Sequence, residues 1–160
     1  MEAAITAFHD ALSSINAPRY FESERGFQGA LLVQLSHSLT LPDKVLIEQE
    51  HQKRLQAHGL TFRPDIIVHE PFTPLLHGNR SEGNYIVVEL KLNATPEEAT
   101  DDFRKLTQML QILNYPIGIF INIGSTRTYR ELAPIETQGR VVCFAVSQSN
   151  GETIVIEERA

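Results

Sequence analysis

Only one of the 160 residues is a cysteine, Cys143, so the chain can close no disulfide on itself and can build no cysteine-based zinc site within one copy. Long apolar runs are missing as well, since none approaches the roughly 20 residues that cross a bilayer. The start, Met1-Glu2-Ala3-Ala4-Ile5, has neither the basic opening nor the apolar core of a signal peptide. Positive charge is in short supply: Lys and Arg number 14 against 20 Asp and Glu, for a formal net charge of -6. An all-over basic coat for nucleic acid is thereby excluded, though a local basic patch is not. Repeats and low-complexity stretches are absent. What is present, 42% hydrophobic and 21% charged residues, suits one globular domain spanning 1–160. A domain of this size buries roughly 70% of its unfolded surface. The expectation is a cytoplasmic protein with no membrane attachment.

Apolar spacing predicts a helix over 2–15, carried by Ile5, Phe8, Leu12 and Ile15, and a second over 22–39, carried by Phe27, Leu31, Leu35 and Leu39. Strands are predicted over 45–50, 62–69 and 85–92, the last two separated by a long loop rich in proline and glycine. The next helix opens with unusual clarity. Thr95 is an N-cap, Pro96 fits the first helical position and Glu98 completes a capping box. Its apolar stripe is Ala99, Phe103, Leu106, Leu110 and Leu113. A buried strand follows over 117–123, then a hairpin around Asn150-Gly151. This order predicts an α/β sandwich: an antiparallel meander, a crossover helix, and a further strand parallel to the third.

Most catalytic signatures are missing. The chain has no phosphate-binding glycine loop, no Rossmann fingerprint, no Gly-x-Ser-x-Gly elbow and no His-Glu-x-x-His helix. Its six histidines show no metal-ligand spacing. What remains is carboxylates with a lysine, on or beside strands. Pro64-Asp65 opens the second strand and Glu89-Leu90-Lys91 closes the third. Alternate residues of a strand share a face, so Glu89 and Lys91 project together, about 7 Å apart. A register that sets Asp65 opposite Glu89 also pairs Ile67 with Val87 and His69 with Tyr85. Two carboxylates and an ammonium then meet at one end of the sheet. Burying two carboxylates is costly without a cation, and a hard divalent ion with oxygen ligands meets that need.

Helix phase adds Glu24. At about 100° per residue it falls within about 20° of both Leu31 and Leu35, on the apolar stripe, whereas Glu22 falls about 180° from Leu31 and faces water. His69 lies roughly 13 Å along the strand from Asp65 and suits a structural or substrate-contact role. Glu48 and Glu50 share a face of the first strand, and a solvated edge is their simplest reading. Asp102 flanks the apolar stripe of its helix, and Cys143 sits in an apolar run as a core residue. His51, Lys53, Arg54, His58 and Arg63 form a modest basic stretch that Arg25, Arg127 and Arg130 would extend.

The segments Arg63-Pro64-Asp65-Ile66-Ile67-Val68-His69 and Tyr85-Ile86-Val87-Val88-Glu89-Leu90-Lys91, with Glu24 in the preceding helix, resemble the PD-(D/E)XK nuclease superfamily. Within it the chain is most similar to small bacterial proteins whose lysine strand is followed by an Asp-Asp-x-x-Lys-Leu helix. Here that segment is Asp101-Asp102-Phe103-Arg104-Lys105-Leu106. The similarity covers roughly residues 20–124 and implies the restriction-endonuclease-like fold and metal-dependent phosphodiester hydrolysis leaving a 5′-phosphate. By that resemblance Asp65, Glu89 and the backbone carbonyl of Leu90 would hold Mg²⁺ or Mn²⁺. Lys91 would orient or activate the attacking water, and Glu24 would serve as an outer-shell or second-metal ligand. The expected partner is nucleic acid, above all DNA, with specificity supplied by loops, a homodimer or a partner protein. The alternative is a non-catalytic member of the fold that binds nucleic acid or a protein.

Overall fold

The computed structural model describes residues 2–49, 59–79 and 81–160. Glu50, His51, Lys53, Arg54 and His58, named above, lie outside the described residues. The first helix, α1 (Glu2–Ser13), buries Ile5, Phe8 and Leu12 as its spacing requires. The second begins two residues later than expected. A 3-10 turn over Pro18–Glu22 precedes α2 (Glu24–Ser38), and Ser23 between them is extended and caps α2 by accepting the Gly26 amide at 3.1 Å. Glu22 is exposed because it ends that turn, not because of a phase along α2.

Six strands form one mixed sheet in chain order: β1 (Leu46–Gln49), β2 (Ile66–His69), β3 (Asn84–Leu92), β4 (Ile117–Ile123), β5 (Val141–Ser149) and β6 (Glu152–Arg159). The meander β1–β2–β3 is antiparallel. Strands β3, β4 and β5 run parallel, and β6 returns antiparallel as the second arm of the hairpin. The crossover from β3 to β4 is α3 (Pro96–Ile112), with the Thr95–Glu98 capping box formed as its residues predict. Each face of the sheet has its own core. Ile66, Val68, Ile86, Val88 and Leu90 pack with α1 and α2, while Ile67, Val87 and Phe120 pack with α3. Cys143 is fully buried on the α3 side, and burial pushes its thiol up to about 12.

Two sequence expectations need correction here. Strand β2 starts at Ile66 rather than residue 62, because Pro64 has no amide proton to continue a ladder. The expected register holds for Ile67 with Val87 but slips at a bulge between Val68 and His69, so His69 faces Asn84 and not Tyr85. The extra residue, Tyr85, is left partly exposed at the bulge.

Because both reciprocal bonds of the capping box are present, Thr95→Ala should cost about 1 kcal/mol and lower the melting temperature by about 2–4 °C. Thermal melts followed by circular dichroism check this, and an unchanged melting temperature would show that the cap adds nothing.

Candidate active site

The site lies where β2 begins and β3 ends. Continuing the β2–β3 register by one step sets Asp65 across from Glu89, beyond the last ladder pair, Ile66 with Val88. Beyond the last ladder pair the amide of Leu90 turns to a side-chain acceptor. It donates to Asp65 Oδ2 at 2.8 Å. The Asp65 carboxylate is thereby tied to the centre of Glu89-Leu90-Lys91.

Helix α2 locks both strands from one side. Glu24, in its first turn, accepts the Leu92 amide at 3.0 Å and stands 3.3 Å from Lys91 Nζ. Gln28, one turn later and buried, donates to the main-chain oxygen of Asp65 at 2.6 Å. Residues four apart share a helix face, so one face of α2 holds β2 and β3 together. From the other side of the sheet, α3 presents Asp102 and Lys105. Lys105 Nζ is 2.5 Å from Asp102 Oδ1 and 3.6 Å from Glu89 Oε2. The turn between β3 and α3 is equally well held. The Ala94 amide donates to Asn122 Oδ1 at 3.0 Å, and its carbonyl accepts the Tyr129 hydroxyl at 2.8 Å. Gly124 is needed beside it, with φ of 73° and only 2.7 Å between a notional Cβ and the Asn93 side chain.

The structure thus brings together Asp65, Glu89, Lys91 and Glu24, and adds Asp102, Lys105 and Gln28. In the sequence Asp102 and Lys105 stand in the Asp-Asp-x-x-Lys-Leu segment of the resemblance, with no site role given to either. Their usable signal was that Asp102 borders the buried stripe. Gln28 gave only its four-residue spacing from Glu24. His69 is placed elsewhere, paired through Nε2 with the carboxylate of Glu48 on the neighbouring strand. That pairing favours the structural reading of His69, while Glu48 lies on the edge strand with its side chain 35% exposed. Among the basic residues, Arg127 pairs with Glu131 and lies over the Tyr129 ring, and Arg130 donates to the Arg159 carbonyl.

Four carboxylates here face two ammoniums, so the cluster keeps two uncompensated negative charges when all are ionised. Burial raises the Asp65 carboxyl to about 6, helped by Asp102 and Glu24 and opposed by the Leu90 amide. Burial, then the charge of Asp65, holds Glu89 well above the usual carboxylate range. Burial also raises Asp102. For Lys91, burial disfavours the charge, but the carboxylates of Glu24 and Asp102 outweigh it and the ammonium is raised. Lys105 is raised the same way, chiefly by Glu89 and Asp102 against burial.

Among the described residues, no three carboxylate, histidine or cysteine side chains form a cluster arranged to hold a metal ion by themselves. The fit therefore rests on two carboxylates and main-chain oxygen. Glu89 Oε1 is buried and has no hydrogen-bond partner among the described residues. An all-oxygen donor set with a residual double negative charge and an orphaned oxygen suits a hard divalent cation.

The raised Asp65 carboxyl makes a prediction about stability. Between about pH 4 and pH 6 the native state keeps a proton that the unfolded chain has lost. Stability therefore falls as pH rises through that window and stays lower above it. In EDTA, Asp65→Asn should stabilise the protein by on the order of 1–3 kcal/mol at pH 8 and by almost nothing at pH 4. Denaturant unfolding at both pH values is the measurement. A variant destabilised at pH 8 would show that the carboxylate is not held against its preference.

Comparison with protein-family models, with curated proteins and with solved structures gives no match to this chain, and its functional reading stands on this geometry.

Proposed function

We propose that the chain is a metal-dependent nuclease with the restriction-endonuclease-like fold, hydrolysing phosphodiester bonds of DNA or RNA. The observation that carries this reading is the bond from the Leu90 amide to Asp65 Oδ2. It fastens the carboxylate of Pro64-Asp65 to Glu89-Leu90-Lys91, the pairing that the PD-(D/E)XK resemblance requires. Asp65, Glu89 and the Leu90 carbonyl would hold Mg²⁺ or Mn²⁺. Such an ion supplies Lewis-acid stabilisation of charge on a phosphate and makes a bound water more acidic.

The chain's own groups then have distinct tasks. Asp65 and Glu89 would offer carboxylate oxygens to such a cation from fixed points, which limits the reorganisation needed. Lys91, with its side chain 27% exposed, reaches solvent while staying anchored to Glu24 at 3.3 Å. There its ammonium orients a water and meets charge developing on the phosphate. Glu24 keeps Lys91 in place and, through the Leu92 amide, fixes the end of the strand.

The second reading is a non-catalytic module of the same fold that binds nucleic acid or a protein. It draws on the same ion pairs, since both lysines already have carboxylate partners and the chain is acidic overall.

Incubation with plasmid, single-stranded DNA and RNA in Mg²⁺, Mn²⁺ and EDTA separates the two readings. The nuclease reading expects cleavage with metal and none in EDTA. Asp65→Ala and Glu89→Ala should each lower activity at least 100-fold and weaken Mn²⁺ binding at least 10-fold, by analogy with the cost of disturbing a metal shell. Lys91→Ala should lose turnover but keep the ion, because an ammonium is not a ligand. Glu24→Gln should cut activity strongly, and exposed Glu22→Gln should be silent. Binding of nucleic acid without cleavage by the wild type would favour the second reading.

A further inference from the structure

Glu89 and Asp102 approach the sheet end from different elements, β3 and α3, and each side chain is only 3% exposed. Each also has a buried oxygen, Glu89 Oε1 and Asp102 Oδ2, with no hydrogen-bond partner among the described residues. Between them stands one cation. Lys105 Nζ is 2.5 Å from Asp102 Oδ1 and 3.6 Å from Glu89 Oε2. Lys91 acts on this pair only through its charge on Asp102, because its ammonium is placed 3.3 Å from Glu24.

We infer that Lys105 is a positioning residue that acts as the site's resident second cation, filling the place between Glu89 and Asp102 and restricting the site to one divalent ion. The inference rests on the metal-site reading above and concerns how many ions that site takes. Asp65, Glu89 and Asp102 carry three negative charges when ionised. With Lys105 present two remain, which one divalent ion neutralises. Without it all three remain, and a single divalent ion falls short.

The placement is built in by the helix. Asp102 and Lys105 are three apart and share a face of α3. The capping box at Thr95 and Glu98 and the burial of Phe103 and Leu106 fix where that face lies. A lysine held at both ends in this way is a fixed charge, unlike a surface lysine that samples many rotamers. Glu24 is not a substitute ligand for a second ion, since its carboxylate already accepts the Leu92 amide and meets Lys91.

The test is the number of Mn²⁺ ions bound per chain, read by calorimetric titration and by electron paramagnetic resonance of free Mn²⁺ at pH 8. Wild type and Lys105→Arg should bind one ion, and Lys105→Ala should bind two. The lysine side chain is 32% exposed, so the alanine variant is expected to fold. If circular dichroism shows that it does not, Lys105→Met keeps the aliphatic stem, removes the charge and should likewise bind two. One ion in wild type and still one in the folded uncharged variant overturns the role of Lys105 while leaving the metal site standing. Two ions in wild type overturn it as well. No ion in wild type removes the metal-site reading itself, and this inference with it.

Discussion

A single hydrogen bond, from the Leu90 amide to the Asp65 carboxylate, joins the architecture of the sheet to the chemistry at its end. The β2–β3 ladder ends with Ile66 and Val88, one residue short of the cluster, and the Leu90 amide turns to a side chain. An amide left without an acceptor inside a sheet costs as much as a lost hydrogen bond, and a carboxylate is the strongest acceptor a side chain offers. Asp65 meets that need and is itself drawn into a half-buried place, with its carboxyl raised to about 6. Fold and site therefore share one bond. Gln28 and Glu24 reinforce it from α2 by holding the Asp65 carbonyl and the Leu92 amide.

The electrostatic consequence runs against stability. Buried carboxylates close to one another disfavour their own ionisation, and each of Asp65, Glu89 and Asp102 is raised. A chain shaped only for stability would place apolar side chains here, as replacement of buried charges often shows. The cluster persists because everything around it is over-determined. A sheet with a packed core on each face, a boxed helix start and a fastened β3–α3 turn together hold groups that would separate if free. An electrostatic cost of this kind is concentrated at one place in an otherwise consistent fold.

The same contrast explains what could be read in advance. Helix α3 was legible because Thr95, Pro96 and Glu98 act on backbone groups within one turn, and local chemistry needs no tertiary context. The pairing of Ile67 with Val87 followed only from setting Asp65 opposite Glu89, since β2 is apolar on both faces and its sequence alone does not select a register. The slip at His69 was not, since a long loop does not pin register and a bulge at Tyr85 leaves no local mark. The start of α2 was set two residues early, because its apolar spacing begins only at Phe27 and does not mark the cap at Ser23. Strand β2 looked longer because composition over 62–65 does not register the missing amide of Pro64. Gln28 and Lys105 were the hardest to see. Each owes its role to a neighbour distant in the chain, Asp65 for the one and Glu89 for the other.

Glu24 and Glu22 show how far helix phase alone can be taken. Phase placed Glu24 inward, and it does reach the end of β3; the same phase placed Glu22 outward, and it is exposed although it is not in the helix at all. Both outcomes agree with the reading, but only one has its cause. The difference lies in what meets each carboxylate. Glu24 stands at the helix start, where negative charge is favoured, and its position is further specified by the Leu92 amide and the Lys91 ammonium. A glutamate that served only the helix start would need neither. The amide and the ammonium belong to the strand that carries Glu89, so the position of Glu24 is set by the strand end as much as by its own helix. That mutual setting, strand by helix and helix by strand, turns a short and common Glu-x-Lys sequence into a defined constellation of charges.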